Sequence, residues 1–333
     1  MTETVEQLAE ALSNVAGKHL GTAGVTDLKR LSGGASQETW SFKIHKDGEA
    51  EPLILRRAPG GAGGNASGTA VGLETEAKLI QLSAEAGVVV PTVRYVAKPD
   101  DGIGSGFIMN HVHGETLGSK IVRGDDFAST RPKLARQCGA ALAKLHAVPV
   151  SSLPTLRFSP ATEEIERYKD VYKTHGHPHP VFDLAFKWLA DNVPTDDRVT
   201  LVHGDFRNGN IMFDATDGVV AVLDWELAHI GDPIEDMGWI CVNSWRFGGI
   251  DKPVGGFGSR EEMLAGYEDA GGPKVDLERV KFWEVLGTVK WGVMCTTMYE
   301  AFKTGMDRSV ERAAIGRRSS ETEMDLLYLL AAD

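Results

Sequence analysis

The stretch of sequence that decides the fold is Leu201–Glu226, LVHGDFRNGNIMFDATDGVVAVLDWE. It contains two short apolar runs, at 211–213 and 219–223, that would each form a strand. The five residues between them, DATDG, have the composition of a tight turn. The segment therefore predicts a loop followed by a β-hairpin, whose two open ends lie close together.

Three polar side chains stand at the open ends of this predicted hairpin. Asp205 and Asn210 precede it, five residues apart, and Asp224 follows its second strand. A carboxylate on a loop can take a proton from an attacking hydroxyl, and amide and carboxylate oxygens are ligands of Mg²⁺. Protein kinases use an Asp, an Asn five residues later and a further metal-binding Asp in the same order. The pattern predicts a phosphoryl-transfer site with Asp205 catalytic and with Asn210 and Asp224 as metal ligands.

The motif residues resemble a known family. HGDFRNGN at 203–210, LDWE at 223–226 and the later Gly-Asp-Pro at 231–233 look like the aminoglycoside phosphotransferase and choline kinase family. The run DWELAHIGDPIEDMGW at 224–239 is similar to the branch related to kinase-like domains fused to acyl-CoA dehydrogenases. The resemblance implies an α+β, bilobal, protein-kinase-like fold, with a small N-terminal lobe of antiparallel sheet plus helix and a larger, mostly helical C-terminal lobe. It also implies ATP and Mg²⁺ as cofactors and a small-molecule hydroxyl as the phosphoryl acceptor.

Four residues near the motif have supporting roles in this interpretation. His203 is expected to brace the loop rather than to transfer protons. The resemblance assigns Asp236 to hydrogen bonds with the backbone of the catalytic loop. Arg207 and Asn208 are expected near the cleft, within reach of substrate or phosphate.

A segment of small residues, LSGGASQET at 31–39, lies between two predicted strands. Small residues let backbone N–H groups approach phosphate oxygens closely. The segment lacks the P-loop motif and the full glycine motif of protein kinases, so a plain hairpin is the alternative. Its position resembles that of the family's nucleotide-covering loop, which assigns nucleotide contacts to Ser32, Gly33, Gly34 and Ser36.

The predicted third strand ends in Arg56 and Arg57, where protein kinases carry a phosphate-binding Lys. Side chains alternate along a strand, and we expect Arg56 to point inward with Ile54, the alternative being an inward Arg57. The helix that follows carries two acids in its first turns. By motif register Glu76 is expected to orient Arg56, whereas Glu74 suits the dipole of the helix N-terminus.

The strand predicted at 106–110 runs into a segment that resembles the hinge of the family, where backbone groups bind adenine. The resemblance thereby assigns Asn110 and Val112 to nucleotide binding. It also sets the expected boundary between the lobes. The N-terminal nucleotide-binding lobe would span residues 1–110, and the C-terminal catalytic and substrate-binding lobe residues 111–333.

The composition narrows the possible partners. The formal net charge of −12 disfavours nucleic acid, because nucleic-acid-binding proteins usually carry a basic stripe. No run of residues approaches the roughly 18 apolar residues of a membrane span, and the acidic N-terminus has no signal-peptide pattern. The three cysteines are far apart and form no CxxC motif. Buried free thiols and a cytoplasmic location are therefore expected.

The sequence alone does not identify the phosphoryl acceptor. Aromatic residues accumulate in the C-terminal half, among them Trp239, Trp245 and Trp291, and any that face the cleft would form a flat-walled pocket. The acids at 261–269 are predicted to lie on a solvated helix rather than in an aminoglycoside site. The candidates are an aminoglycoside phosphotransferase-like kinase, a kinase of a hydroxyacyl-CoA or another apolar hydroxyl compound, and a nucleotide-binding pseudokinase without turnover.

Overall fold

The computed structural model describes residues 4–22, 24–31, 37–61, 69–195 and 198–331. It confirms the predicted α+β class. An antiparallel sheet with helices makes up the N-terminal part, and helices dominate the C-terminal part.

The sheet of the N-terminal part has five antiparallel strands. These are β1 (Val25–Arg30), β2 (Glu38–Lys46), β3 (Glu49–Arg57), β4 (Val93–Val96) and β5 (Gly106–Asn110). Their spatial order is β1-β2-β3-β5-β4. Helix α1 (Val5–Val15) packs on the sheet through Leu8 and Leu12, which contact an apolar cluster that includes Phe42 and Leu53. The strand residues of this cluster alternate with polar ones, so one face of the sheet is sealed by α1.

Helix α2 (Leu73–Glu85) connects β3 to β4. Ala77 and Ile80 are three residues apart on one side of the helix and are buried in the main apolar cluster together with Phe107 of β5. Glu76 lies in the first turn of α2 and is fully buried. The helix therefore brings a carboxyl group into the interior beside β3.

Nine α-helices are described in the C-terminal part of the chain. They are α3 (Gly118–Arg123), α4 (Arg131–Leu145), α5 (Ala161–Thr174), α6 (Pro180–Asp191), α7 (Ile234–Cys241), α8 (Arg260–Asp269), α9 (Leu277–Lys303), α10 (Val310–Gly316) and α11 (Ser319–Ala331). The longest, α9, has 27 residues and is buried on nearly all sides from Val280 to Thr296. It packs against α7, all of whose residues are buried.

Short strands hold the motif. They are β6 (Phe158–Ser159), β7 (Thr200–Val202), β8 (Ile211–Asp214), β9 (Gly218–Val222) and β10 (His229–Gly231). The predicted hairpin is confirmed, because β8 pairs antiparallel with β9 and places Ile211 opposite Val222. Strands β6, β10 and β7 form a separate small sheet. The loop between β7 and β8 carries the predicted catalytic residue.

All three cysteines are buried and unpaired. Within the described ranges, no helix combines the length and the apolar character needed to cross a membrane.

Candidate active site

The loop between β7 and β8 is held from two directions. The carboxylate of Asp236 in α7 accepts the backbone N–H groups of His203, at 2.8 Å, and Gly204, at 2.9 Å. The His203 ring bonds to two backbone groups. Its Nε2 lies 3.0 Å from Leu223 O, and its Nδ1 lies 3.2 Å from the backbone nitrogen of Asp205. Because a carbonyl only accepts and an amide N–H only donates, the ring carries its proton on Nε2. Burial lowers the pKa of His203, so the imidazole stays neutral and braces the loop.

The carboxylate of Asp205 is surrounded by hydrogen-bond donors. Its Oδ1 accepts Trp239 Nε1 at 2.7 Å and Arg207 Nε at 2.9 Å. Its Oδ2 accepts Arg207 Nη2 at 3.1 Å and Asn210 Nδ2 at 2.6 Å. The four bonds fix the plane of the carboxylate in the ligand-free protein.

The two predicted metal ligands meet at the open end of the hairpin. The Leu223 N–H donates to Asn210 O at 2.8 Å, which sets Asp224 beside Asn210. Asn210 Oδ1 and Asp224 Oδ2 accept no hydrogen bond from any residue that the structure describes. Both are oxygens of the kind that Mg²⁺ prefers, so this pair would supply two ligands to a magnesium ion.

Arg56 of β3 faces three carboxylates. Its Nε lies 3.0 Å from Oε1 of Glu76, and its Nη2 donates to Asp224 and lies 3.9 Å from Oε2 of Glu226. Burial opposes the charge of Arg56, but the three carboxylates outweigh it and raise the arginine pKa. Burial also raises the pKa of Glu76 to about 7, although Arg56 acts in the opposite direction. The cluster therefore has an excess of acidic groups around one fixed positive charge.

Three neighbouring residues, Arg57, Glu74 and Asn208, lie outside the cluster around Arg56. Arg57 lies on the other face of the sheet, with Nε 2.9 Å from Glu38 Oε2 and the guanidinium 5.6 Å from the Trp40 ring centroid. Glu74 is exposed at the surface of α2. Asn208 is fully buried and donates to two backbone carbonyls, so it supports the loop and does not face the cleft.

A cavity of about 320 Å³ opens beside the Arg56 cluster. It is lined by Leu31, Thr39, Arg56, Glu76, Ile80, Pro91, Phe107, Met109, Thr116, Gly209, Asn210, Met212, Val222, Leu223 and Asp224. Phe107 and Met109 come from the sheet, and Met212 and Val222 from the hairpin. The cavity thus combines apolar walls, which suit a planar ring system, with a cluster of charged groups.

The other residues predicted to bind the nucleotide are Asn110, Val112 and the small residues of the segment at 31–39. The backbone N–H of Asn110 already donates to Thr92 O at 3.0 Å. Within the described ranges, the backbone N–H of Val112 has no hydrogen-bond partner. Neither residue is among the described residues that line the cavity. The predicted loop contacts Ser32, Gly33, Gly34 and Ser36 lie outside the residues that the structure describes.

A cluster of apolar side chains, three of them tryptophans, lies next to Asp205. We call it the tryptophan cluster, and its buried members are Trp239, Val242, Trp245, Trp291 and Cys295. The rings of Trp239 and Trp245 are 5.3 Å apart, and those of Trp245 and Trp291 are 4.9 Å apart. The Arg207 guanidinium lies 4.4 Å from the Trp245 ring centroid. The indole N–H groups of Trp245 and Trp291 are buried without a partner in the described part of the chain.

Sequence reasoning missed two supports of Asp205. Trp239 is expected from the sequence in the core or on the wall of a cleft pocket, not as a hydrogen-bond donor to Asp205, and Lys290 of α9 carries no expectation. Lys290 Nζ donates to Gly204 O at 3.1 Å, lies 3.6 Å from Glu235 Oε1 and sits 4.5 Å from the Trp239 ring. The signal that could have revealed it is the single charged residue in the run VLGTVKWGVMC at 285–295, since a charge in such an apolar segment must find partners inside.

Comparison with known proteins identifies a family and several relatives of this chain. A model of the phosphotransferase enzyme family matches residues 27–283. Acyl-CoA dehydrogenase family member 10 of Mus musculus is 28% identical over 244 residues. The match covers 71% of this chain but 22% of that protein, so the chain spans less than a quarter of this relative's length.

Two solved structures share the fold. A Ralstonia eutropha protein that carries the provisional name aminoglycoside phosphotransferase is 24% identical, with a TM-score of 0.76 over 97% of this chain and 98% of that one. A spectinomycin phosphotransferase solved with ADP and spectinomycin is 14% identical, with a TM-score of 0.64 over 96% and 98%. The likeness confirms the predicted bilobal, kinase-like architecture.

Proposed function

Because this chain belongs to the phosphotransferase enzyme family, we propose that it transfers the γ-phosphoryl group of MgATP to a hydroxyl group of a small molecule. The observation that carries the proposal is the set of Asp205, Asn210 and Asp224 around one hairpin end, beside a cavity with apolar walls and a charged cluster. The ADP bound to the related spectinomycin phosphotransferase supports an adenine nucleotide as the donor.

In this mechanism Asp205 orients the acceptor hydroxyl and takes its proton as the oxygen attacks phosphorus. Asn210 and Asp224 would hold Mg²⁺, whose charge offsets that of the phosphate oxygens. Trp239 and Asn210 keep the Asp205 carboxylate in place through their hydrogen bonds. Asp236 holds the loop backbone behind it. The rate enhancement comes mainly from positioning and from electrostatic stabilisation by preorganised groups.

Nucleotide binding is proposed for the N-terminal side of the cavity. Arg56 binds phosphate oxygens as a bidentate donor, and Glu76 fixes its orientation. Asn110 and Val112 provide backbone groups for the adenine edge, and the free N–H of Val112 supports this role. The small residues assigned to the phosphate-covering loop are Ser32, Gly33, Gly34 and Ser36.

A hydroxyacyl-CoA or another apolar hydroxyl compound is the second candidate acceptor. The tryptophan cluster favours it, because the cluster is apolar and the two cations that lie on its rings, Arg207 and Lys290, would repel a polycation. The acids of α8, Glu261, Glu262, Glu268 and Asp269, are exposed on a helix that packs against α4. Their exposure argues against their use as an acidic aminoglycoside pocket.

We also propose the expected division into a nucleotide-binding lobe at 1–110 and a catalytic and substrate-binding lobe at 111–333. A cytoplasmic location is supported by the three unpaired, buried thiols. The net charge of −12 supports a small-molecule partner over nucleic acid.

The test is ADP release from MgATP in the presence of a panel of hydroxyl compounds: aminoglycosides, choline, homoserine, macrolides and 4-hydroxyacyl-CoAs. We expect release that depends on one class of acceptor and falls by about 10² to 10⁴ in Asp205→Asn, which keeps the shape but loses the base. Asp217→Asn, in the exposed turn of the same hairpin, is the matched control and should retain full activity.

Calorimetric titration with MgATP separates the remaining possibilities. Binding without turnover across the panel would favour the pseudokinase. A protein that binds no adenine nucleotide would contradict the proposed function as a whole.

A further inference from the structure

Every hydrogen-bonding position of the Asp205 carboxylate is occupied. An ionised carboxylate offers about four lone-pair sites on its two oxygens. Arg207 fills two of them, Trp239 one and Asn210 one. A substrate hydroxyl must donate its proton to one of these same sites. One of the present donors therefore has to leave before Asp205 can act as a base.

Two of the three donors are fixed. The Trp239 side chain is buried, with Lys290 4.5 Å from one ring and Trp245 5.3 Å away. Asn210 makes a second hydrogen bond, 3.0 Å from Nδ2 to the backbone oxygen of Asp205, and is 7% exposed. Moving either residue would break contacts with the buried core.

Arg207 is the donor that can move. Its side chain is 26% exposed, and apart from Asp205 its guanidinium donates to the backbone oxygen of Asn208, at 2.9 Å. It lies on the face of Trp245, and a guanidinium can slide along an indole without losing that contact. Gly209 makes room for the resting position, since a Cβ there would stand 2.6 Å from Arg207 Nη1.

We propose that Arg207 is a positioning residue that blocks Asp205 through their bidentate pair and releases it when the guanidinium transfers to an anionic oxygen of a bound ligand. This inference rests on the proposed function, because it concerns access to the same base. A bidentate arginine–carboxylate pair is replaced readily only by another anion that accepts two parallel hydrogen bonds, such as a phosphoryl group or a carboxylate. The anion comes either from the terminal phosphate of the nucleotide or from an anionic group on the acceptor.

The test follows the Arg207 Nε–H and the Trp239 indole N–H in ¹H–¹⁵N spectra of the full chain. Arg207→Lys assigns the first signal and Trp239→Phe the second, and the Asp205→Asn protein should shift both. The wild-type protein is then titrated at constant ionic strength with MgADP, with Mg²⁺ plus the β,γ-imido analogue of ATP, and with glycolate or ethylene glycol added to each. Glycolate and ethylene glycol are a matched pair that differ in one carboxylate.

We expect the Arg207 signal to move and to exchange faster with water, while the Trp239 signal keeps its hydrogen-bonded position. A shift with the imido analogue but not with MgADP identifies the terminal phosphate as the new partner. A shift that needs glycolate, and that ethylene glycol does not cause, identifies an anionic acceptor. A residue with a merely structural role would give neither pattern.

Two results would overturn the inference. One is an Arg207 signal that stays unchanged in every mixture although calorimetry shows bound nucleotide. The other is a shift that nucleotide alone does not cause and that glycolate and ethylene glycol cause equally, since ethylene glycol carries no anion. Both differ from failure of the proposed function, in which no nucleotide binds at all.

Discussion

Glu76 is a buried carboxyl group that should make the stability of the metal-free protein depend on pH. Burial raises its pKa from 4.5 to about 7, so between these values the native state binds more protons than the unfolded chain. Stability is therefore highest below the unfolded pKa and falls as pH rises towards 7, by on the order of 3 kcal/mol. Glu76→Gln should flatten this part of the profile.

Urea unfolding between about pH 5 and about pH 8, in buffer without divalent metal, measures the effect. Glu74→Gln is the matched control, because it removes an exposed carboxylate two residues away on the same helix. Parallel pH profiles for Glu76→Gln and the wild type would contradict the prediction.

Single residues differ in how far the sequence could predict them. The pairing of Arg56 with Glu76 follows from strand alternation and from the register of one helix, and both are local properties. Glu226 and Trp239 join the same site from other segments, and their contacts depend on how α7 and the hairpin pack. No local pattern separates such residues from ordinary surface acids or core aromatics.

At the scale of elements, α9 supports the catalytic loop through one buried lysine. Burial alone would lower the pKa of Lys290, but Tyr168 and Glu235 outweigh it and raise it, so the amine stays charged. Lys290→Met leaves Gly204 O without this donor and removes one of the partners of Glu235, which still contacts His229. We expect a loss of about 3 to 5 kcal/mol in unfolding free energy and a lower kcat at little changed KM for ATP.

Thermal unfolding and steady-state ADP release measure the two effects. Lys303→Met, near the exposed end of the same helix, removes an equivalent charge and should change stability by less than about 0.5 kcal/mol. Equal behaviour of the two variants would show that Lys290 does not support the loop.

The contact between α7 and α9 depends on Gly238. A Cβ at this position would lie 2.4 Å from the carbonyl carbon of Trp283 and 2.5 Å from its Cβ. Gly238→Ala should therefore push α7 away from α9 and displace Asp236 and Trp239 together. We expect a loss of about 1 to 3 kcal/mol in stability, together with reduced turnover.

Gly17→Ala is the control for a glycine that is not crowded, since the nearest atom to its added Cβ is 3.5 Å away. It should be neutral or slightly stabilising, because alanine restricts the unfolded chain. Urea denaturation of both variants measures the change in unfolding free energy that each replacement causes. A Gly238→Ala protein as stable and active as the wild type would mean that α7 tolerates displacement.

Elements were easier to predict than contacts between them. The run at 280–302 is apolar on nearly all sides, which is typical of a buried helix, and α9 spans Leu277–Lys303 with its buried residues at 280–296. The N-terminus has the periodicity of an amphipathic helix, which is α1, but no sequence pattern indicates the π-helical turn that follows at Ala16–Leu20. The close approach of α7 to α9 depends on a missing side chain, and a single glycine gives no sign of which backbone it will meet.

At the scale of the whole molecule, the charge of the cleft should make nucleotide binding depend on the metal. Glu76, Asp224 and Glu226 surround the one guanidinium of Arg56, in a chain of net charge −12. ATP without metal adds further negative charge. We expect it to bind at least about tenfold more weakly than MgATP, a difference of about 1.4 kcal/mol or more.

Calorimetry with Mg²⁺ or with EDTA gives both affinities, and ligand-induced stabilisation provides an independent check. Asp224→Asn should remove most of the difference, whereas Asp217→Asn in the exposed turn should preserve it. Equal affinities for ATP with and without Mg²⁺ in the wild type would contradict this account.

The overall architecture could be predicted because the motif at 201–226 resembles that of a family with a kinase-like fold. The acceptor could not be predicted, because the groups around Asp205 come from the loop after β7, from α7 and from α9, which are distant in sequence. The indoles identify the chemical character of this region only after the fold has brought them together.

The separation of the tryptophan cluster from the two larger apolar clusters has an evolutionary consequence. Trp245 and Trp291 belong to a small cluster of their own, although both are buried. A replacement there would disturb the surroundings of Asp205 more than the cores that hold the sheet and the hairpin together. Under the proposed function, a lineage could therefore change its phosphoryl acceptor before it changed its phosphoryl donor.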